Sequence, residues 1–433
     1  MLKVLTALRL CRTPALGHHW QVCCDCGREQ GGVRFNSCRD RHCPLCSGPA
    51  RARWLDRVRQ SLLPVPYFQA VFTLPEELRL LAAARPKVVY NTLFHAVRDT
   101  LSEVAATPRH LGARIGMLLV LHTWTQELHR HPHIHVVIPA GGLSPDGEQW
   151  IAGRDRWFLP QAVLGRVFRG KFLAELRAAC VSGSLRLSGP LEPLNSAAGF
   201  DRWRSTLPGP AWNVYIEPPP ASAGDDPDHL LKYLARYVAG TAISNQRLVS
   251  LENGVVTFTV KNRDSGRTEF RRLPGAEFVR RFVSHILPSG LHRIRFAGLW
   301  ANRRRRERLE HCRALIAAAK GQTTTAATSE PAAAPETAPP SPTEPIPSRG
   351  VVTRPATAPP PLQRSSSSKG SNTSATGTAA PPPPIGTCKH CGSTRLKVGM
   401  THPPEGLYDQ SARLYGHLMG GHPPRPPDTI SSS

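Results

Sequence analysis

Strand-like and helix-like runs alternate through the middle of the chain. Tyr67 to Leu74, YFQAVFTL, reads as a strand, and Pro75, Glu76 and Glu77 have the composition of a helix start. Ile115 to Trp124, IGMLLVLHTW, is mostly apolar and reads as another buried strand. His131 to Gly142, HPHIHVVIPAGG, follows after a short connection, so the two are expected to pair as antiparallel neighbours. Trp212 to Pro218, WNVYIEP, reads as a further strand. Asp226 to Gly240, DPDHLLKYLARYVAG, reads as a helix with Asp228 as N-cap and Gly240 just past its end. In LVSLENGVVTFTV, Asn253-Gly254 between two β-rich runs signals a hairpin. Mixed strands and helices with antiparallel pairs predict an α+β fold, a central antiparallel sheet flanked by helices.

Composition divides the 433 residues into four segments. Residues 1–62 hold a cysteine cluster, expected to be a zinc-ribbon-like module, and 63–320 carry the alternating elements. Residues 321–386 turn to Thr, Ala, Pro and Ser, as in TAPPSPTEPIPS. So few large apolar side chains cannot offset the entropy of ordering, so a disordered linker is expected there. Residues 387–433 form a short tail with CKHCG.

Charge narrows the partners. Fifty-five Lys and Arg against 31 Asp and Glu leave a formal charge of +24. A field of that size attracts polyanions, nucleic acid ahead of an acidic membrane surface. No apolar run reaches the ~18 residues of a membrane span. MLKVLTALRLCR lacks a small-residue cleavage site, so it does not read as a signal peptide. Close Cys-x-x-Cys pairs without a secretory signal favour metal over disulfides and fit a reducing cytoplasm.

Cys23-x-x-Cys26 and Cys43-x-x-Cys46 are two knuckles of the kind that each hold one edge of a tetrahedral zinc ion. Cys38 and His42 lie between them as alternate ligands. Arg39, Arg41, Arg51 and Arg53 surround the second knuckle, as suits a zinc module that touches DNA backbone. Cys388 and Cys391 form half a site, with His402, His417 and His422 as candidate partners.

His133 and His135 stand at i and i+2 in a strand-like run, so both imidazoles project from one face. Such a pair suits a divalent cation that keeps open positions for substrate oxygens. A third ligand is expected from the neighbouring strand, where Gln126 and Glu127 can both reach across. In LLKYLARYV, Tyr233 and Tyr237 share one helix face at i, i+4, with Lys232 and Arg236 on an adjacent face able to hold a DNA backbone. A tyrosine hydroxyl is a poor nucleophile until a phosphate is polarised and the phenol loses its proton. Further basic groups lie at Arg166, Arg169 and Lys171, at Arg280 and Arg281, and at Arg303 to Arg306.

The order of these motifs resembles the two-tyrosine HUH transposases of rolling-circle insertion sequences, which carry an N-terminal transposase zinc-binding domain. The resemblance runs from about Cys11 to about Arg306. It covers CRTPALGHH, CDCG, SCRDRHCPLC, VFTLPEELR, LHTWTQELHRHPHIHVVIPAGG, LKYLARYV with AISNQRL, and FVRRFVSHILPSGLHRIRFAGLWANR. It implies a bacterial, nucleoid-associated endonuclease and strand transferase acting on single-stranded or hairpin DNA at the ends of a mobile element. His133, His135 and, as the third polar ligand, Gln126 would bind Mg²⁺ or Mn²⁺. Tyr233 and Tyr237 would form 5′-phosphotyrosines, and Lys232, Arg236, Arg39, Arg41, Arg280 and Arg281 would lie along the DNA. Family members also carry a helical segment ahead of the zinc head, whereas this chain starts almost at CRTPALG, and VAGTAISN replaces a more basic turn after the second tyrosine. Replication initiators and relaxases share the chemistry, although a relaxase would place its tyrosine ahead of the histidines. A catalytically silent DNA-binding descendant and a barrel-type metal hydrolase are the remaining readings.

Overall fold

The structure, a computed structural model, describes residues 1–153, 159–220, 230, 233–234, 241–262, 265–326, 388, 390–393 and 395–402. After a short helix at Leu2–Leu10, the head carries β1 (His18–Cys23) and β2 (Glu29–Phe35), followed by a helix at Ser47–Arg59. The central region contains β3 (Tyr67–Thr73), β4 (Gly116–Trp124), β5 (Arg130–Pro139), β6 (Gly141–Leu143), β7 (Trp150–Ala152) and β8 (Val214–Glu217). A three-stranded meander follows, β9 (Leu248–Glu252), β10 (Val255–Lys261) and β11 (Thr268–Pro274), then β12 (Ile294–Gly298) and, near the C-terminus, β13 (Leu396–His402).

The central sheet runs β12-β4-β5-β3-β8 with every neighbour antiparallel, so β5 lies in its middle. Successive side chains alternate between its faces. Leu119 and Leu121 of β4, Ile134, Val136 and Ile138 of β5, and Phe68, Ala70 and Phe72 of β3 enter one core. There they meet the helices Pro86–Ala106 and Gln161–Val181. Pro86 opens the first of these, where the missing N–H costs nothing. Phe72 packs edge-on against Phe168 at 5.2 Å, and truncating either ring to Ala should cost about 3–5 kcal/mol. Leu118, Val120 and Val137 point to the opposite face, onto Val58, Leu230, Leu234, Leu309, Cys312 and Ile316. Both faces are covered, which is why β4 and β5 read as apolar runs rather than alternating ones.

The expected pairing of Ile115 to Trp124 with His131 to Gly142 is present, with His122 opposite His133 and Val120 opposite His135. The hairpin at Asn253-Gly254 is present too, with φ of 48° and 74° at the two turn residues. Of the expected helix Asp226 to Gly240, Leu230, Tyr233 and Leu234 are helical; Asp228, Lys232, Arg236, Tyr237 and Gly240 lie outside the described residues. The helix Arg305–Ala326 runs past residue 321, where composition placed the start of the linker. Residues 327–386 lie outside the described residues. No helix among the described residues is long and apolar enough to cross a membrane.

Candidate active site and metal centres

β5 presents His133 and His135 on the face that receives Leu230, Tyr233 and Leu234. The third group beside them is His122 of β4. Ligand nitrogens of His122, His133 and His135 all lie within 4.8 Å of one another. Their ring centroids are 4.6 to 5.4 Å apart, and His122 and His135 are buried. The Nδ1–H of His133 donates to the His131 carbonyl at 2.7 Å, the outer hydrogen bond that typically orients a metal-ligating imidazole. His135 Nδ1 lies 2.9 Å from the hydroxyl of Tyr233. Trp124 stacks on His122 with centroids 4.8 Å apart and fixes its ring. Three imidazoles on one patch fit a divalent cation and leave the rest of its coordination sphere open for substrate oxygens.

Gln126, expected as the third ligand, belongs to another structure. Its Oε1 accepts from the Lys261 amide at 2.6 Å, and its carbonyl accepts from Arg247. Glu127 pairs with Arg271 at 2.7 Å. These residues form the β4–β5 turn, in which Leu128 takes a positive φ of 63°. His285 also braces the turn: its Nε2–H donates to the Leu128 carbonyl at 3.0 Å and its Nδ1 accepts from the Thr123 hydroxyl at 3.1 Å. Burial pushes the His285 pKa down to about 4, so this imidazole is neutral. The brace holds the register that sets His122 opposite His133. His122 went unnoticed in the sequence because it sits inside the apolar run LLVLHTW. Counting back from a turn at residues 127 and 128 would have found it.

The expected DNA contacts divide. Arg41 donates to the carbonyls of Leu291 at 2.7 Å, Pro288 at 3.1 Å and Leu287 at 3.2 Å, clamping the ILPSGL loop to the head. His42, considered as a zinc ligand, has Nδ1 on Asp40 at 2.9 Å and accepts from the Leu287 amide at 3.2 Å. Burial lowers its pKa against the pull of Asp40. Arg281 is held by Glu277 and the Glu127 carbonyl, so it serves the fold, whereas Arg280 pairs with Glu277 on an exposed surface. Arg39 is exposed, with φ 53°.

The cysteines assemble differently from the expected set of Cys23, Cys26, Cys43 and Cys46. Cys43 and Cys46 join Cys38 and Cys11, with sulfurs 3.3 Å apart for Cys11–Cys46 and 3.6 Å for Cys38–Cys46 and Cys43–Cys11. Cys23 and Cys26 instead meet Cys388 and Cys391, at 3.6 Å for Cys23–Cys391 and for Cys26–Cys388. The reason is geometric: β1 and β2 carry the first knuckle to one end of the head ribbon, away from the second. Two thiolates on one zinc stand ~3.8 Å apart, so both sets fit tetrahedral zinc. Burial opposes ionisation of Cys46, but hydrogen bonds from Cys11, the Arg39 backbone and Cys38 outweigh it and bring the thiol to about 7.

Comparison with known proteins places these features in a family. Residues 116–308 match the family model described as "Putative transposase", and residues 1–74 match the "Transposase zinc-binding domain". The "Putative transposase y4qJ" of Sinorhizobium fredii is 47% identical over 315 residues, 72% of this chain and 78% of that protein. The transposase for insertion sequence element IS801 of Pseudomonas savastanoi pv. phaseolicola is 25% identical over 315 residues, 70% of each chain. Two solved structures match weakly, TrwC complexed with a 27-mer DNA comprising the recognition hairpin and the cleavage site, and conjugative relaxase TrwC with mutant OriT DNA. They are 15% and 16% identical, each over 57% of this chain and over 73% and 72% of theirs. At a TM-score of 0.19 for both, neither likeness carries an argument. With the relative at 47% identity and both family models aligned on the cysteine head and the histidine sheet, the chain belongs to this family of insertion-sequence transposases with an N-terminal zinc-binding domain.

Proposed function

We propose that this transposase nicks and rejoins single-stranded DNA at the ends of its element through a tyrosine nucleophile. The observation that carries the reading is the 2.9 Å contact between the Tyr233 hydroxyl and His135 Nδ1, beside three convergent imidazoles. A divalent cation held by His122, His133 and His135 would polarise the scissile phosphate. The donors are three nitrogens with no carboxylate, which favours Mn²⁺ over the harder Mg²⁺. If His135 held the cation, its Nδ1 would carry the imidazole proton and would donate to the Tyr233 oxygen 2.9 Å away. That hydrogen bond favours the phenolate and aims its lone pair, while the phenol proton leaves to water.

In the chemical step, the Tyr233 oxygen forms a bond to phosphorus and the bond from phosphorus to the 3′ oxygen breaks. The electron pair leaves on that oxygen, which takes a proton and becomes a free 3′ hydroxyl. The strand downstream remains on the protein through its 5′ phosphate. Attack by a 3′ hydroxyl on this phosphotyrosine reverses the step and joins strands without an external energy source. Tyr237, one helical turn on in sequence, is the second nucleophile in this proposal and allows two successive transfers. A substrate strand must present an exposed backbone, hence the preference for single-stranded or hairpin ends.

The test uses 3′-labelled single-stranded oligonucleotides tiling the DNA that flanks the coding sequence, with Mn²⁺, on a denaturing gel. A labelled adduct that requires Mn²⁺ and disappears in the His133→Ala/His135→Ala variant supports the reading. DNA binding without any adduct, on every strand tried, overturns it in favour of a silent DNA-binding protein.

A further inference from the structure

The tail lies against the head of the chain, although 362 residues separate Cys26 from Cys388 and 368 separate Cys23 from Cys391. β13 adds to β1 as an antiparallel strand, from His18 opposite His402 to Cys23 opposite Leu396. β1 thereby becomes the middle strand of a three-stranded sheet rather than an open edge. The two knuckles then face each other, with each turn closed by its own backbone: Gly27 N–H donates to the Cys23 carbonyl at 3.0 Å, and Gly392 N–H to the Cys388 carbonyl at 2.9 Å. Polar contacts outside the sulfurs fix the junction as well. The Cys24 amide donates to the Arg395 carbonyl at 2.8 Å, the Arg395 guanidinium pairs with Asp25 at 2.8 Å, and the Ser393 hydroxyl donates to Asp25.

We propose that Cys23, Cys26, Cys388 and Cys391 form a second zinc site, built jointly from the two ends of the chain, so that the metal docks the tail onto the head. Four sulfurs within 4.8 Å of one another, drawn from two Cys-x-x-Cys knuckles, make a closed structural site with no position left for substrate. The head alone supplies half of it. The other four-cysteine set, Cys11, Cys38, Cys43 and Cys46, is complete within the head. Zinc at the joint site closes a loop that contains the whole catalytic sheet, and its removal should free the tail while leaving the first site loaded.

Metal content and thiol reactivity of the full chain test this directly, without reference to DNA cleavage. With His133→Ala/His135→Ala as background, to silence the third cluster, the protein should carry two equivalents of zinc. Cys388→Ser/Cys391→Ser should carry one, Cys23→Ser/Cys26→Ser should carry one, and combining the two pairs should remove nothing further. In the unmutated chain, a maleimide should label exposed Cys24 at once and spare the four ligands, and a chelator should unmask Cys23, Cys26, Cys388 and Cys391 together. The thiol measurement needs no substitution and so stands even where a variant does not fold. One zinc in the parent, or a loss on altering the tail pair that altering Cys23 and Cys26 does not reproduce, overturns the joint site. So does a tail pair that labels as fast as Cys24 in the zinc-loaded chain.

Discussion

At the scale of single residues, the site depends on His122 and His285, neither of which announces itself in the sequence. His122 occupies a position that reads as apolar strand, yet strand pairing delivers it to the two histidines of HPHIH. Replacing His122 with Ala should therefore lower Mn²⁺-dependent nicking as far as His133→Ala does, about 10²-fold or more. Gln126→Ala should stay within a few-fold of the parent and cost about 1 kcal/mol of stability, the worth of its hydrogen bond to Lys261. Nicking rates and denaturant melts of the three variants decide between the two candidates for third ligand. His285 carries a pH signature. Its folded pKa, about 4, lies below the ordinary 6.5, so the unfolded chain takes up the proton first. The stability it contributes is complete above pH 6.5 and is lost as pH falls toward 4, on the order of 3 kcal/mol in all. Melting temperature followed between pH 7 and 4 should flatten correspondingly in His285→Gln.

At the scale of elements, the strands were legible because burial on both faces leaves a simple trace. β3, β4 and β8 fall within the runs read as strands, β5 begins one residue ahead of its run, at Arg130, and the Asn253-Gly254 hairpin follows from turn chemistry alone. What periodicity could not convey is which arginines face outward. Arg41 and Arg281 have the composition of a DNA track, but they satisfy backbone carbonyls of the ILPSGL loop and the β4–β5 turn. A long flexible cation looks the same in sequence whether its partner is a phosphate or a carbonyl. Glycines show a related ambiguity. Gly298 at the end of β12 has φ 59°, and a Cβ there would stand 2.0 Å from the Ile115 carbonyl oxygen, whereas Gly254 has φ 74° in open space. Gly298→Ala should cost about 2–4 kcal/mol from strain and clash together, and Gly254→Ala about 1 kcal/mol from strain alone. Equal losses in chemical denaturation would remove the close-packing role assigned to Gly298.

At the scale of the whole molecule, the excess of basic residues and the cysteine count pointed to DNA and zinc, but not to the way the head is built. Two knuckles twenty residues apart suggest one site by spacing, and only the fold separates them, because each is completed by cysteines that lie elsewhere in the chain, Cys11 for one and the tail for the other. Arg41 and His42 then bind the head to the ILPSGL loop that leads into β12, so SCRDRHCPLC and SHILPSGLHR meet in the fold. This predicts opposite behaviour for neighbouring arginines. Arg39→Ala should lower the salt dependence of DNA binding by about one phosphate contact at unchanged stability. Arg41→Ala should leave the salt slope alone and lower the melting temperature. The central claim, a tyrosine made nucleophilic beside three histidines, is tested most directly by finding the amino acid that carries the DNA. Trypsin cuts after Lys232 and Arg236, so Tyr233 and Tyr237 fall on separate peptides. Mass spectrometry of the nuclease-trimmed adduct should place a nucleotide on the peptide Tyr233–Arg236 after a single nick. A nucleotide on any residue other than these two tyrosines would contradict the account.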